Sequence, residues 1–309
     1  MAKHILSIRD FSAAEIVRFV RLTGDLKRGK AGRKMCLAGK SVALIFDKSS
    51  TRTRLAFDVA CEKLGAHSIT NSGANLQIGR GETLEDSGRI FSLYVDAVAW
   101  RTSGQDRLER FAHASRVPVI NMLSDQEHPC QILADLFTIR EKLGGSAWPS
   151  VAFIGDCGNN VAHSWLLAAA RLGIDFRMAC PRGHEPDPVI RKNAEEEAWR
   201  TGAKLMVTRD PKEASAGAGV LYTDVWVSMG QEGEKKKRLA TFKGYQINSS
   251  LLSVAASGAM VMHCLPAHRG EEISAEVLDG HNSVVFDQAH NRLYNAMASL
   301  IWVLKGGKI

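Results

Sequence analysis

The chain has 309 residues, 45% of them hydrophobic, with 24% charged residues and a formal net charge of +7. That length and apolar content support a large core and favour two domains, with no low-complexity tract to argue for disorder. The basic balance fits nucleic acid, an anionic membrane or a small phosphorylated ligand; absent zinc-finger spacing and aromatics too sparse for a stacking platform make nucleic acid a poor fit, and no apolar run is long enough to span a bilayer.

In chain order, "MAKHILSIRDF" lacks the apolar core of a secretory signal, which together with six cysteines in no paired spacing points to reduced thiols and a cytoplasmic protein. "SAAE" at Ser12–Glu15 is a capping box opening a helix that runs to about Gly29. Apolar runs then alternate with helix-period segments. "SVALIF" (41–46), "VDAVAW" (95–100) and "VPVINM" (117–122) read as strands, with "GETLEDSGRIFSLY" as a helix before the second. "KLGGSAWPS" (142–150) marks a boundary, where a helix ends in Gly-Gly and a proline precedes the next strand. Beyond it "VAFIGD" (151–156), "DFRMAC" (175–180), "KLMV" (204–207), "GVLYTD" (219–224), "GAMVMHC" (258–264) and "SVVFD" (283–287) read as strands, and "DPVIRKNAEEEAWR" as a helix. "KKKR" at Lys235–Arg238, flanked by "GQEGE", reads as a mobile solvated loop. A final helix, about 291–304, carries an apolar stripe through Leu293, Met297, Leu300 and Ile301.

Strands without in/out alternation, separated by helices, imply parallel sheets covered on both faces and right-handed crossovers. The fold class is therefore α/β, with two doubly wound parallel-sheet domains: residues 1–143 plus the C-terminal helix of about 290–309, crossing back, and residues 150–289. Ligands in such sheets bind beyond the carboxyl ends of the strands, so the polar clusters after strands are the candidate sites.

In "IFDKSSTRTRLAF" (45–57), Ser50 is the expected N-cap of a helix whose first turn carries Arg52 and Arg54. Cations oppose the helix dipole there, and a bound anion relieves that conflict: it meets the free amides of Thr51, Arg52 and Thr53, two or three hydroxyls and a guanidinium. No G-x-x-x-x-G-K is present, so this is not a Walker loop. Arg101 closes a strand in "VAWRT", where ligand and surface roles fit equally well. His128 precedes Pro129 at a helix start, a position that favours the neutral imidazole, and it too fits either a ligand or a structural role. "GDCGNN" (155–160) matches the dinucleotide fingerprint G-x-G-x-x-G only at its first glycine, and Cys180-Pro181 stands where an acidic residue is needed, which weakens a nicotinamide-dependent oxidoreductase. Asp224 and Ser228 in "YTDVWVSMGQE" suit an ammonium group. His263, Cys264 and His268, with His128 and Cys130, invite a zinc reading, but no ligand pair has a recognised structural spacing, so neither metal nor cofactor is expected. Cys264 as a nucleophile, with His128 or His263 as base, stays open. Arg292 stands at the start of the final helix.

"STRTR", "HPCQ", "DVWVSMG" and "HCLP", in that order, resemble the aspartate/ornithine carbamoyltransferase family, and "SMG" with "HCLP" its ornithine branch. The match spans nearly the whole chain. The resemblance implies transfer of a carbamoyl group from carbamoyl phosphate to the δ-amine of L-ornithine, giving L-citrulline and phosphate. It places the phosphate on Ser50, Thr51, Arg52 and Thr53, and the carbamoyl end on Arg101, His128 and Gln131. The backbone of Cys264 and Leu265, with Arg292, completes that pocket. It places ornithine on Asn160, Asp224, Ser228 and Met229, with Arg101, His128, Asp224 and Cys264 as the catalytic set. It also implies a homotrimer whose sites borrow Gln77 from a neighbour, and domain closure over carbamoyl phosphate. Two departures stand out. Asp47, Lys48 and Ser49 replace the family's frequent Glu-Lys-Pro, and "GDCGNN" has one residue more than the usual "GDGNN". The ornithine ligand is thus Asn159 or Asn160, with Asn160, next to the helix, preferred. Acetylornithine or putrescine as acceptor, and an oxidoreductase, are the alternatives.

Overall fold

The computed structural model describes residues 2–29, 35–145, 147–228 and 230–307. It divides into two compact units, Met1–Lys142 with His290–Ile309, and Leu143–Ala289.

The first unit is built on four parallel strands, β1 (Ser41–Phe46), β2 (His67–Ser72), β3 (Ala97–Arg101) and β4 (Val119–Leu123), in the order β2-β1-β3-β4. Val42, Ala43, Leu44 and Ile45 are all buried although consecutive strand residues face opposite sides, so both faces of the sheet are covered. On the β3 side Trp100 packs edge-on against Phe111, at 5.3 Å between ring centroids. Another aromatic group joins Trp302 of the C-terminal helix to Phe11 and Phe19, at 5.5 and 5.7 Å. The first long helix, Ala13–Lys27, starts at the expected capping box, with Ser12 and Glu15 each accepting the other's backbone amide.

The second unit is a five-stranded parallel sheet of β5 (Val151–Ile154), β6 (Phe176–Ala179), β7 (Leu205–Thr208), β8 (Val220–Thr223) and β9 (Met260–His263), ordered β7-β6-β5-β8-β9. One layer of its core gathers Ile154, Leu221, Val261, Ile273 and Val285. In both sheets the strand order reverses once, between β1 and β3 in the first and between β5 and β8 in the second. These are the two switch points where side chains beyond the strand ends can converge.

Four local expectations are corrected. "SVVFD" is not a strand: Ser283 makes one isolated bridge to Val261, and the helix Val285–Leu304 begins two residues later with Asp287 in its favourable first turn. That helix starts among residues of the second unit and belongs to the first from His290 onward. The strand β2 was not anticipated, because "HSITNS" is a polar edge strand that pairs only with β1. The residue before helix Arg52–Leu64 is Thr51, not Ser50, and no side chain caps it. Finally, "KKKR" opens the helix Lys235–Thr241, and its arginine is buried. Among the described residues, no helix is long and apolar enough to cross a membrane.

Candidate active site

At the first switch point, β1 runs through Asp47–Ser50 into the helix Arg52–Leu64. The first turn of that helix contains no acidic residue, only Arg52 and Arg54. Thr51 and Arg52 are exposed and Ser50 is half-buried, so an uncapped, cationic helix start faces outward, with Arg54 paired to Asp58 a turn further on. Thr53 points inward: its Oγ1 accepts a hydrogen bond from Arg292 Nη2 at 2.6 Å. The other guanidinium nitrogen, Nη1, donates to Gln131 Oε1 at 2.5 Å, and Gln131 in turn donates through Nε2 to Asp135 at 2.8 Å. Arg292 from the C-terminal helix therefore braces two candidate ligands that lie far apart in sequence.

His128 and Arg101 are buried within the same unit, at 4% and 7% exposure. Burial, reinforced by the cations of Arg292 and then Arg101, holds the His128 imidazole well below its ordinary pKa. A neutral ring that donates a hydrogen bond without carrying charge is the resulting species. The loop that carries it is fixed by Ser124, whose Oγ accepts from the Glu127 amide at 3.0 Å and donates to Gln105 at 2.7 Å. Glu127, missed by sequence reading, accepts from Ser7 Oγ at 2.5 Å and from the Ile8 amide at 3.0 Å. Burial raises its carboxyl to about 7. Cys130 is no nucleophile, since burial pushes its thiol to about 12. Gln77 is exposed in a short 3-10 turn, Gln77–Gly79.

At the second switch point, Gly155 leaves β5 with φ +136°, a conformation open to glycine. Four residues along, Asn159 caps the helix Asn160–Leu172 by accepting from the Ala162 amide at 2.8 Å. Its amide nitrogen donates to Asp224 Oδ2 at 3.3 Å. Asp224, just past β8, also accepts at Oδ1 from its neighbour's amide, Val225, at 2.8 Å and from Cys264 Sγ at 2.9 Å. Burial raises the Asp224 carboxyl, against the pull of His263, Cys264 and Val225. Asn159 is thus committed to the cap and to Asp224, while Asn160 opens the helix half-buried. Ser228 is half-buried and its amide donates to Gln231 at 3.1 Å; Met229 lies outside the described residues.

Two supports of this cluster escaped the sequence reading. Asp156 forms a buried ion pair with Arg238, which also donates to the carbonyl of Trp226 and stacks over Phe242. Burial alone would raise Asp156, but His184 and Arg238 bring its carboxyl below the ordinary value. The pair ties the glycine turn to the segment that leads to Ser228. The second support is Glu272, which holds His263 Nε2 at 3.0 Å. His263 Nδ1 accepts from the Leu265 amide at 2.8 Å, which makes Nε2 the protonated nitrogen. Leu265 itself sits at φ +58°, a strained position for a branched residue, and this bond helps to hold it there. No carboxylate ends β6, where Cys180 and Pro181 follow Ala179, so a ribose-binding acid is missing from the place a dinucleotide requires.

Residues 3–141 match the model of the aspartate/ornithine carbamoyltransferase carbamoyl-P binding domain, and residues 149–303 that of the Asp/Orn binding domain. The chain belongs to the aspartate/ornithine carbamoyltransferase family. An ornithine carbamoyltransferase of Gloeobacter violaceus is 49% identical over 98% of this chain and 96% of its own length. One of Methanothermobacter thermautotrophicus is 50% identical over 98% and 99%. Among solved structures, the Pyrococcus furiosus ornithine carbamoyltransferase superposes with a TM-score of 0.94 at 44% identity, covering 99% of this chain and 98% of that one. An anabolic ornithine carbamoyltransferase from Campylobacter jejuni gives 0.93 at 41% identity, covering 99% and 100%. Within this family the two switch points described above fall in the two matched domains, one in each.

Proposed function

We propose that this carbamoyltransferase-family chain moves the carbamoyl group of carbamoyl phosphate to the δ-amine of L-ornithine, releasing L-citrulline and phosphate. The observation that carries the reading is the pairing, in one chain, of an uncapped cationic helix start at one switch point with the Asp224–Cys264 hydrogen bond at the other. The first suits a phosphorylated substrate, the second an amine. The full-length relatives named for ornithine support the choice of acceptor.

The phosphate sits on Ser50, Thr51, Arg52 and Thr53 and leaves as an anion held by Arg52 and the helix amides. Attack of the neutral amine on the carbamoyl carbon puts negative charge on its oxygen. Arg101, neutral His128 and the Thr53 hydroxyl, whose oxygen already accepts from Arg292, donate to that oxyanion. One such donor is worth about 3–4 kcal/mol. Gln131 and Arg292 complete the part of the carbamoyl pocket that the first unit supplies. Asn160, Asp224, Ser228 and Met229 take ornithine. Asp224 with Cys264 orients the amine and accepts its ammonium form before the proton is lost, so Cys264 forms no covalent adduct. We further place the protein in the cytoplasm, as a homotrimer to which Gln77 contributes across subunits, in an arginine-forming step.

A ureido assay with carbamoyl phosphate and, in turn, L-ornithine, acetylornithine and putrescine tests the reading. Citrulline formed with ornithine at a kcat/KM at least tenfold above the other acceptors is expected. A preference for putrescine or acetylornithine overturns the assigned acceptor, and inactivity with all three overturns the reaction.

A further inference from the structure

The second unit carries a further side-chain constellation, of which only Glu272, the anchor of His263, supports the site described above. The segment after Cys264 turns so that His268 Nδ1 faces Glu271 Oε2 at 3.9 Å and Glu272 Oε2 at 3.7 Å, with all three ligand atoms within 4.8 Å of one another. The three side chains differ in depth: His268 is 44% exposed and Glu271 23%, whereas Glu272 is fully buried. Glu272 Oε1 is satisfied, accepting from the His268 amide at 2.6 Å and facing His263 Nε2 at 3.0 Å. Its Oε2 is buried and accepts no hydrogen bond from the described residues. A buried carboxylate oxygen without a donor is destabilising, and such atoms in folded proteins commonly face water or an ion.

The spacing says which. A gap of 3.7 Å is too long for a direct hydrogen bond between His268 Nδ1 and Glu272 Oε2. It is close to the separation of two ligands on one metal ion, about 3.4 Å for bonds of about 2.1 Å at a tetrahedral angle. Half-exposed His268 has the freedom to close the small difference. We propose that His268, Glu271 and Glu272 form a binding site for a divalent transition-metal ion of the zinc type. One imidazole with two carboxylates is a donor set for such an ion; magnesium and calcium prefer oxygen alone. Two carboxylates neutralise its charge, and the Lys235 ammonium, 3.1 Å from Glu271, lies on the other oxygen, Oε1. The neighbouring trio Asp224, His263 and Cys264 is equally compact, but both ring nitrogens of His263 are engaged, Nδ1 by the Leu265 amide and Nε2 by Glu272. Because Glu272 also anchors His263, an ion on its outer oxygen staples the 268–272 turn to the "HCLP" segment.

Cobalt(II) chloride titrated into the chelator-treated full-length protein tests the site, with equilibrium dialysis for affinity and visible spectroscopy for the donor set. Visible d–d bands without a thiolate-to-cobalt charge-transfer band are expected. Affinity falls by more than about tenfold in both H268A and E271Q and is unchanged in C264S. Both weakened variants alter side chains that reach solvent, and circular dichroism confirms their folding. Three results overturn the proposal: no cobalt binding, binding that H268A and E271Q leave intact, or a sole bound ion whose charge-transfer band disappears in C264S.

Discussion

Arg292 is the side chain whose replacement discriminates most sharply. Its two terminal guanidinium nitrogens serve two different oxygens, Gln131 Oε1 at 2.5 Å and Thr53 Oγ1 at 2.6 Å. A lysine keeps the charge but replaces the planar fork with a single nitrogen on a shorter reach, so at least one of these bonds is lost. A hydrogen bond to a charged group contributes about 1.5–3 kcal/mol, which corresponds to a loss of about 10- to 150-fold in kcat/KM for carbamoyl phosphate in R292K. Stability falls by a comparable amount, readable as the urea midpoint. Because the lysine cation remains, His128 stays neutral and the acid limb of the pH–rate profile holds its position. In R292Q the cation is gone; it is the second of the three causes that depress His128, so the imidazole pKa rises and the acid limb moves to higher pH. A double-mutant cycle of T53A with R292K is expected to give a coupling energy above about 0.5 kcal/mol. Wild-type kcat/KM in R292K, or a coupling energy near zero, refutes the bracing role.

Three further outcomes are expected. C264S lowers kcat while carbamoyl phosphate still binds in equilibrium dialysis; a covalent adduct at Cys264 in the mass of the working enzyme sinks the orienting role. R238A leaves Asp156 buried without its cation and destabilises by about 3–5 kcal/mol, against under 1 kcal/mol for the exposed K236A, with chemical denaturation as the readout. E127Q removes a carboxyl that burial raises from 4.5 to about 7, a displacement equivalent to about 3 kcal/mol. The folded state binds the extra proton, so this group's contribution is full below pH 4.5 and is lost as pH rises through 7. E127Q is therefore more stable relative to wild type at pH 8 than at pH 4.5, and parallel melting profiles across that range contradict it.

How far the sequence carried the structure depends on the range of the forces involved. Strands buried on both faces, such as β1 and β8, carry near-continuous apolar runs, and that signal is local. The edge strand β2 pairs on one side only and needs no apolar run, so "HSITNS" left no trace. "SVVFD" misled because two valines and a phenylalanine suit a buried strand or the start of a buried helix, and periodicity over five residues cannot separate the two. The site was legible for a related reason. A parallel sheet concentrates its chemistry in the loops after its strands, so Thr53, His128, Asp224 and Cys264 announced themselves by position. The groups that hold them in place did not, because their partners lie far along the chain: Arg292 meets Thr53 across 239 residues, and Arg238 meets Asp156 across 82. "KKKR" shows the consequence. Four adjacent cations look alike in a sequence, yet only the arginine turns inward, because a guanidinium can donate to the Trp226 carbonyl and to Asp156 at once, whereas burying a lysine there would leave one of those acceptors unmet. In a basic run, then, the arginine is the residue to examine for a buried partner, and the acidic residue of a strand-end turn is where that partner is to be sought.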